Sequence, residues 1–312
     1  MIEMASQTRI DHRALIAGLE KGQREHLLAR SDAAGLARLA GHIGAIALVT
    51  ALILSGPPLW PALIPFQGVL IVFLFTALHE TIHETAFRSA WINRAVAAVC
   101  GFLILLPPVW FRYFHFAHHR HTHDPQRDPE LAEGKPRTWA QYALYLSGLP
   151  YWRGQLRTLV GNAAGRNADR FVPARGRTRV TTEARRFLIL YAAILTASLA
   201  FRSDLLVWTW LLPVVIGQPV LRAYLLAEHT LCPHVANMLE NSRTTFTLAL
   251  VRYFAWNMPY HAEHHAYPAV PFHKLPDFHA VTRAHLGQTE HGYGRFHGRL
   301  GASFRSGRSR GV

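Results

Sequence analysis

Five long apolar stretches without Asp, Glu, Lys or Arg limit what this chain can fold into more than any other feature. They are Gly41 to Ser55, Leu59 to Leu78, Ala95 to Phe111, Phe187 to Phe201 and Leu205 to Leu221. A helix needs about 20 apolar residues to cross a bilayer, with about 17 as the lower bound. Half of the 312 residues are hydrophobic. We therefore expect an integral membrane protein in which lipid covers these stretches.

Turn signals arrange four of these stretches in two helical hairpins. Ser55-Gly56-Pro57-Pro58 joins the first pair, and Arg202-Ser203-Asp204 joins the second. The remaining stretch, residues 95–111, lies between two histidine clusters that can share one site only if an even number of crossings separates them. Its Gly101 and its Pro107-Pro108 pair favour a helix that lies at the interface or enters the membrane and returns. The pattern predicts an all-α protein with four spans in two transmembrane hairpins, plus this interfacial or re-entrant helix.

The charge pattern predicts which segments face the cytoplasm, and composition divides the chain into three regions. The formal charge is +14, and nine arginines but only two acidic residues lie between Trp152 and Arg186. Arginines beside spans mark the cytoplasmic side and attract anionic lipid headgroups, so we expect membrane lipids and no nucleic acid as partners. Residues 1–35 are predicted to be a cytoplasmic amphipathic segment, 36–286 the membrane domain, and 287–312 a disordered basic tail because few of them are apolar.

Twenty histidines stand out in this composition, and eight of them form three clusters. His79 and His83 are one helical turn apart and share a face. Two copies of the pattern His-x-x-His-His follow, and a separate His229, after Glu228, ends the fourth predicted span. The clustered residues are His79, His83, His115, His118, His119, His261, His264 and His265. Neutral imidazole suits iron, zinc and copper, and so many imidazoles exceed what one ion coordinates. The pattern indicates two metals in a histidine-rich cytoplasmic cap.

A second hypothesis starts from the same residues. His79-Glu80-Thr81-Ile82-His83 also matches His-Glu-x-x-His, in which two helical histidines bind zinc and the glutamate acts as general base. The alternative function is therefore an intramembrane zinc metallopeptidase that uses His79, Glu80 and His83. This peptidase hypothesis gives no role to the two His-x-x-His-His clusters. The two cysteines, Cys100 and Cys232, support neither a disulfide framework nor a cysteine zinc site.

The three histidine boxes, their order and their place beside two hairpins resemble the membrane fatty acid desaturase superfamily, over roughly Leu36 to Leu286. The extension of the second box, His121-Thr122-His123-Asp124-Pro125, resembles a bacterial branch with carotenoid ketolases and rhizopine-catabolism oxygenases. The resemblance implies two iron ions. The ligands that it implies are His79, His83, His115, His118, His119, His229, His261, His264 and His265. His229 matches the family's additional ligand, although Leu225 replaces the asparagine usual four residues earlier.

The resemblance also implies the chemistry. Two irons with O₂ as co-substrate would oxidise an unactivated C–H bond of a lipid or lipid-like substrate, by desaturation or by hydroxylation. The motifs of cytochrome b5, ferredoxin and dinucleotide-binding modules do not occur in the sequence. We therefore expect a separate electron donor, of ferredoxin or cytochrome type, with its reductase. The expected location is a bacterial inner membrane, with the active site facing the cytoplasm.

Several nearby residues are candidates for supporting roles. Acidic side chains can orient metal-binding imidazoles by accepting the proton of the other ring nitrogen. The acidic candidates are Asp124, Asp128, Glu263, Glu80, Glu84 and Glu228. Aromatic residues near the boxes could line a substrate channel or form the aromatic belt of the interface. These are Trp110, Phe111, Tyr113, Trp256 and Tyr260.

Overall fold

The computed structural model describes residues 10–132 and 134–305, and this part of the chain is mainly helical. The α-helices are α1 (His12–Ala17), α2 (Lys21–Leu27), α3 (Asp32–Ser55), α4 (Leu63–Val72), α5 (Leu74–Ile82), α6 (Ala90–Leu103), α7 (Pro108–His121), α8 (Trp139–Leu146), α9 (Leu149–Ala163), α10 (Ala174–Ala200), α11 (Leu212–His229), α12 (Met238–Asn241), α13 (Ala249–Phe254), α14 (His261–Ala266), α15 (Leu275–Thr282) and α16 (Tyr293–Arg305). A π-helical turn, Val207–Leu211, leads into α11, and short 3₁₀ turns cover Trp60–Ala62, Pro129–Leu131 and Phe272–Lys274.

Three helical segments of the described chain are long and apolar enough to cross a membrane. They are Lys21–Ser55, Trp60–Ile82 and Val207–His229, and they cover nearly all of three of the four predicted spans. The other predicted span, residues 187–201, is the C-terminal part of α10 and the residue after it. Ile189, Leu195 and Leu199 of that part are exposed. The helix starts earlier than the apolar stretch because the preceding Arg, Thr, Glu and Ala residues also tolerate helix.

The last span packs against the second span. α11 lies along α4, whereas α10 lies along α9. A Cβ atom on Gly68 would lie 2.2 Å from the carbonyl oxygen of Pro213, and one on Gly217 would lie 2.3 Å from the backbone of Gly68. Small residues that let two backbones approach in this way are typical of helix pairs in membranes. This crossing fixes the positions of α5 and of the end of α11, which both carry histidines.

The apolar stretch from residue 95 to residue 111 does not form one straight span. It divides into α6 and α7, which are bent by 99° at a break between Leu103 and Pro108. The break ends at the Pro107-Pro108 pair and is attributed to it, because proline cannot continue a hydrogen-bonded helix. The first hairpin turns where expected, at Gly56, whose φ of 62° lies in the left-handed region that glycine tolerates.

The predicted disorder from residue 287 is wrong for residues 288–305, and residues 306–312 lie outside the described part. Strand β1 (Arg243–Phe246) pairs in parallel with β2 (Gln288–His291), so the fold is not purely α-helical. α16 packs on α11 and buries Phe296 and Leu300 completely. These two apolar residues recur at helical spacing, which composition alone conceals.

At the other end, α1 and α2 form helices before α3, and α3 runs through the predicted boundary between residues 35 and 36. Leu15, Leu19 and Leu27 of this segment are buried. The predicted amphipathic segment is described only from residue 10 onward. It packs against the rest of the chain through these apolar side chains.

Candidate metal centre

Four helices bring the histidine clusters to one end of the molecule. α5 carries His79, and His83 follows directly after its last residue. α7 carries the second cluster, α14 the third, and His229 is the last residue of α11. Residues three or four positions apart in a helix share a face. Each cluster therefore points one face of its helix toward the same region.

Five of the predicted ligands form the first histidine group, and each offers a ring nitrogen within 4.8 Å of those of the others. The members are His79, His83, His115, His119 and His264. The Nε2 atom of His119 lies 2.8 Å from Nε2 of His115 and 3.2 Å from Nε2 of His264. The group thus joins residues from three helices that are far apart in sequence.

Three more predicted ligands, His118, His229 and His265, form the second histidine group. The Nε2 atoms of His118 and His229 lie 3.1 Å apart. His261, the ninth predicted residue, lies beside this group, with its Nε2 2.8 Å from Nε2 of His229. The two groups are adjacent, since the rings of His119 and His265 stack at 4.0 Å.

The chemistry of these nitrogens fits two transition-metal ions. Nε2 of His79, of His83 and of His265 is buried without a hydrogen-bond partner in the described structure, which is costly for a polar atom unless it has a ligand. At metal–nitrogen bonds of about 2.1 Å, ligands at right angles have nitrogens about 3 Å apart. The pairs His115–His119, His119–His264 and His118–His229 have about this Nε2–Nε2 spacing.

The electrostatics of the third cluster also suit metal binding. Burial, and then the neighbouring imidazoles, hold the pKa of His264 and of His265 well below the usual histidine range. Both rings are therefore neutral at physiological pH and keep a lone pair. A neutral imidazole is the form that binds a metal ion.

Three of the acidic candidates lie against the outer nitrogens of the ligand histidines. Asp128 accepts a hydrogen bond from Nδ1 of His118 at 2.9 Å. Glu228 lies 3.4 Å from Nδ1 of His261. Glu80 lies 3.9 Å from Nδ1 of His79 and 3.8 Å from Nδ1 of His264. Asp128 is thus placed as a carboxylate that orients a ligand imidazole, whereas Glu228 and Glu80 lie near these Nδ1 atoms without forming hydrogen bonds to them.

The other three acidic candidates have different partners. Glu263 accepts hydrogen bonds from Thr244 and His279. The exposed pair of Asp124 with Arg127 and the pair of Glu84 with Arg112 also lie away from the ligand nitrogens. These residues stabilise the segments around the site rather than its imidazoles.

His121 and His123, the two histidines beyond the second box, fall outside both groups. His123 is buried, and its Nε2 donates to the carbonyl oxygen of Asn241 at 2.8 Å. Its ring contacts those of His229 and the exposed His234. His123 is thus a neighbour of the second group.

Sequence reasoning missed Glu130 and Lys135. An oxygen of Glu130 lies 3.2 Å from Nε2 of His118, and the other lies 2.5 Å from Nζ of Lys135. Burial alone would raise the pKa of Glu130, but the Lys135 ammonium and His118 lower it overall, so the carboxylate is ionised. The Pro129–Leu131 turn, which starts beside Asp128, places Glu130 here, and no sequence motif marks this position.

A cavity of about 440 Å³ opens onto both histidine groups. His79 and His115 of the first group, His118 of the second, and the adjacent His261 lie in its wall. Two of the aromatic candidates, Trp110 and Phe111, also line it. Trp256 instead packs in the core between Phe87 and Phe272. Tyr113 packs against Gly176, and the ring of Tyr260 packs against that of His279. A substrate in this cavity would lie against the ring faces and edges of the ligand histidines.

The model of one family, the fatty acid desaturases, matches residues 55–297. The chain belongs to the fatty acid desaturase family. This range contains all nine predicted ligands and includes the first part of α16. A search of curated proteins returned no match.

Membership of the desaturase family, together with the histidine groups, establishes the general class of the protein. It is an oxidoreductase enzyme of the membrane that acts on lipids and binds iron through histidine boxes. Its apolar helices are those of an integral membrane protein.

Proposed function

We propose that this desaturase-family protein is an O₂-dependent di-iron enzyme that oxidises an unactivated C–H bond of a lipid-like molecule. The product is an alkene or an alcohol. The observation that carries the proposal is the pair of adjacent histidine groups that share one cavity. Two such groups can hold two metals while leaving one face of each toward a substrate.

The nine histidines are proposed to hold the irons. The first group would hold one ion, and the second group with His261 the other. Bound iron would supply the activation of O₂ that removes hydrogen from carbon. Asp128 keeps a proton on Nδ1 of His118 and so leaves the Nε2 lone pair free to bind. The apolar residues of the cavity exclude water and hold the carbon to be oxidised.

The proposed topology has four spans, with the part of α10 from Phe187 onward as the third. α6 and α7 would then lie at the interface or enter and leave on one side. The N-terminal half of α10 packs against α7, where Glu183 accepts a hydrogen bond from the backbone N–H of Val109 at 2.8 Å. The arginines of that half therefore lie near the histidine-bearing helix. By the distribution of positive charge, this end faces the cytoplasm of a bacterial inner membrane.

A separate redox protein, of ferredoxin or cytochrome type, is proposed to deliver the electrons. Arg175, Arg177 and Arg179 are all exposed on α10, and a positive surface steers an acidic partner. Neutralising all three should slow reduction of the enzyme and weaken its dependence on ionic strength. Arg202→Gln, at the other end of α10, is the matched control. Unchanged reduction rates in the triple variant would rule out these arginines as the docking surface of the electron donor.

The structure around Glu80 gives no support to the zinc peptidase. Glu80 accepts hydrogen bonds from the backbone N–H of Phe272 at 3.0 Å and from the hydroxyl of Thr85 at 3.2 Å. It lies on the outer, Nδ1 side of His79 and is not part of the cavity wall. A general base must reach the water beside the substrate.

Iron and zinc per chain test the proposal directly. The purified protein should contain about two irons, as two separate ligand groups require. A His118→Ala, His264→Ala double variant removes one ligand from each group and should lose them. His121→Ala, outside both groups, should keep them. A single zinc that survives in the double variant would refute the di-iron function. Lipid profiles of cells with and without the active protein would then identify the product.

A further inference from the structure

The cavity beside the histidine groups has an apolar part and a charged part. Both parts belong to one space, so a bound molecule meets both. The apolar part includes Phe75, Leu106, Phe111, Phe114, Leu225 and Met258, and the charged part includes Glu130, Lys135, Arg222 and Glu228. A plain hydrocarbon would strip water from the charged groups without replacing its hydrogen bonds. The lining therefore suits an amphiphilic molecule.

Among the charged groups of the cavity, Arg222 is one that the described residues satisfy only in part. Lys135 is paired with Glu130 at 2.5 Å. For Arg222, by contrast, the described residues place no carboxylate within 4.0 Å, and its charge interacts only at longer range with that of Glu228 in the same cavity. Its guanidinium stacks on the ring of Tyr151 at 4.3 Å, and its Nε is buried without a hydrogen-bond partner among the described residues. An ionised group within a span that has no close ion pair is costly, and such groups are generally kept for function.

We propose that Arg222 binds an anionic oxygen group of the substrate, a carboxylate or a group of the same chemistry. This inference rests on the proposed function, because it places the substrate in the cavity at the histidine groups. A guanidinium offers several donors in a fixed plane that match two oxygens of one anion. The anion would supply a close opposite charge and an acceptor for Nε of Arg222.

The same helix sets the distance from this anion to the reacting carbon. Arg222 and His229 are seven residues apart on α11, which is two turns and about 10 Å along the axis. They therefore lie on one face of the helix. An extended carbon chain advances about 1.25 Å per bond, so about eight bonds cover this distance. The substrate class is a medium-length amphiphilic acid that is oxidised well away from its acidic group.

Binding of three ten-carbon probes, decanoate, decanol and decylamine, tests the inference. They share a chain and differ in the charge of the head group. The wild-type protein in detergent should bind decanoate most tightly. Arg222→Gln should weaken decanoate binding about tenfold or more, as the loss of a charge-assisted hydrogen bond predicts, and should leave decanol binding nearly unchanged. Arg222→Lys should recover part of the loss, and Arg94→Gln, an exposed arginine of α6, should behave as wild type.

Two results would overturn the inference. One is equal affinity of the wild-type protein for the three probes, which needs no variant and so does not depend on whether Arg222→Gln folds. The other is an undiminished preference for decanoate in a folded Arg222→Gln protein. Iron is measured in the same samples. Missing iron would count against the di-iron function, whereas the decanoate preference reports on Arg222 alone.

Discussion

Asp128 accepts a hydrogen bond from Nδ1 of His118 at 2.9 Å, and its other oxygen accepts one from the backbone N–H of His123 at 2.9 Å. One carboxylate therefore fixes both the tautomer of a proposed ligand and the turn that follows α7. His118 in turn directs Nε2 toward Nε2 of His229, 111 residues later in the chain. Asp128 links the local turn to the long-range meeting of two helices.

Asp128→Ala should weaken metal binding in the second histidine group by about 10- to 100-fold, the usual effect of losing a carboxylate that orients a ligand histidine. Titration of the metal-depleted protein with ferrous iron, followed by iron per chain, measures this. Asp128→Asn keeps an acceptor oxygen and should lose less. Asp124→Ala, four residues earlier and bonded to Gln126 and Arg127 rather than to a ligand histidine, is the control. Equal iron affinity in Asp128→Ala and Asp124→Ala would show that Asp128 does not orient His118 for metal binding.

Gly68→Ala should destabilise the protein. The new Cβ would lie 2.2 Å from the carbonyl oxygen of Pro213, so α4 and α11 must move apart. Overpacking of this kind costs about 1–3 kcal/mol. Thermal unfolding in detergent measures the loss. Gly44→Ala, at a helical position of α3 with no atom within 4 Å of the new Cβ, should be neutral or slightly stabilising. If Gly68→Ala unfolded at the same temperature as the Gly44→Ala control, the close approach of α4 and α11 would be contradicted.

Phe296→Ala should release α16 from the body of the protein. Phe296 is fully buried, and the guanidinium of Arg243 lies 4.9 Å from its ring centroid. A buried Phe→Ala change costs about 3–5 kcal/mol. Limited proteolysis after residue 287 should then become fast, with iron content nearly unchanged. Arg295→Ala, exposed on the same helix, should stay resistant. Equal, rapid cleavage of the wild-type chain would support the original expectation of a disordered tail.

The sequence predicts those parts of the molecule that depend on local pattern. The spacing of His79 and His83 requires only that α5 continues to its end, and the turn at Gly56 requires only its own residues. Strict charge-free stretches also identify three of the membrane-crossing candidates. Each of these inferences depends only on residues that are close together in the chain. Local geometry is therefore sufficient to make it.

Contacts between distant segments are beyond such reasoning. The approach of Gly68 to Gly217 decides that α11 packs on α4, and neither glycine is unusual in its own segment. Glu130 reaches His118 because the turn after Asp128 bends back over α7. The strand β2 exists because β1 offers a partner. Composition predicted disorder there, although Phe296 and Leu300 have the spacing of a helix face.

Glu130 should contribute to metal binding in the second histidine group. Its oxygen lies 3.2 Å from the same Nε2 of His118 that faces His229, so a metal bound by these two histidines would lie close to the carboxylate. Carboxylate oxygen is a good ligand for iron beside imidazole. Glu130→Gln keeps the shape and removes the charge. We expect it to lose about one of the two irons, since the first group does not involve it.

Lys135→Met tests whether the position of the Glu130 carboxylate matters in addition to its charge. Lys135 lies 2.5 Å from Glu130 and is its only lysine or arginine ion-pair partner among the described residues. Without it, Glu130 keeps its charge but loses the group that holds it beside His118. The iron loss should therefore be in the same direction as in Glu130→Gln and smaller. Glu25→Gln, exposed on α2, should keep both irons. If Glu130→Gln and Lys135→Met both retain two irons with wild-type affinity, Glu130 only neutralises Lys135 in the cavity wall.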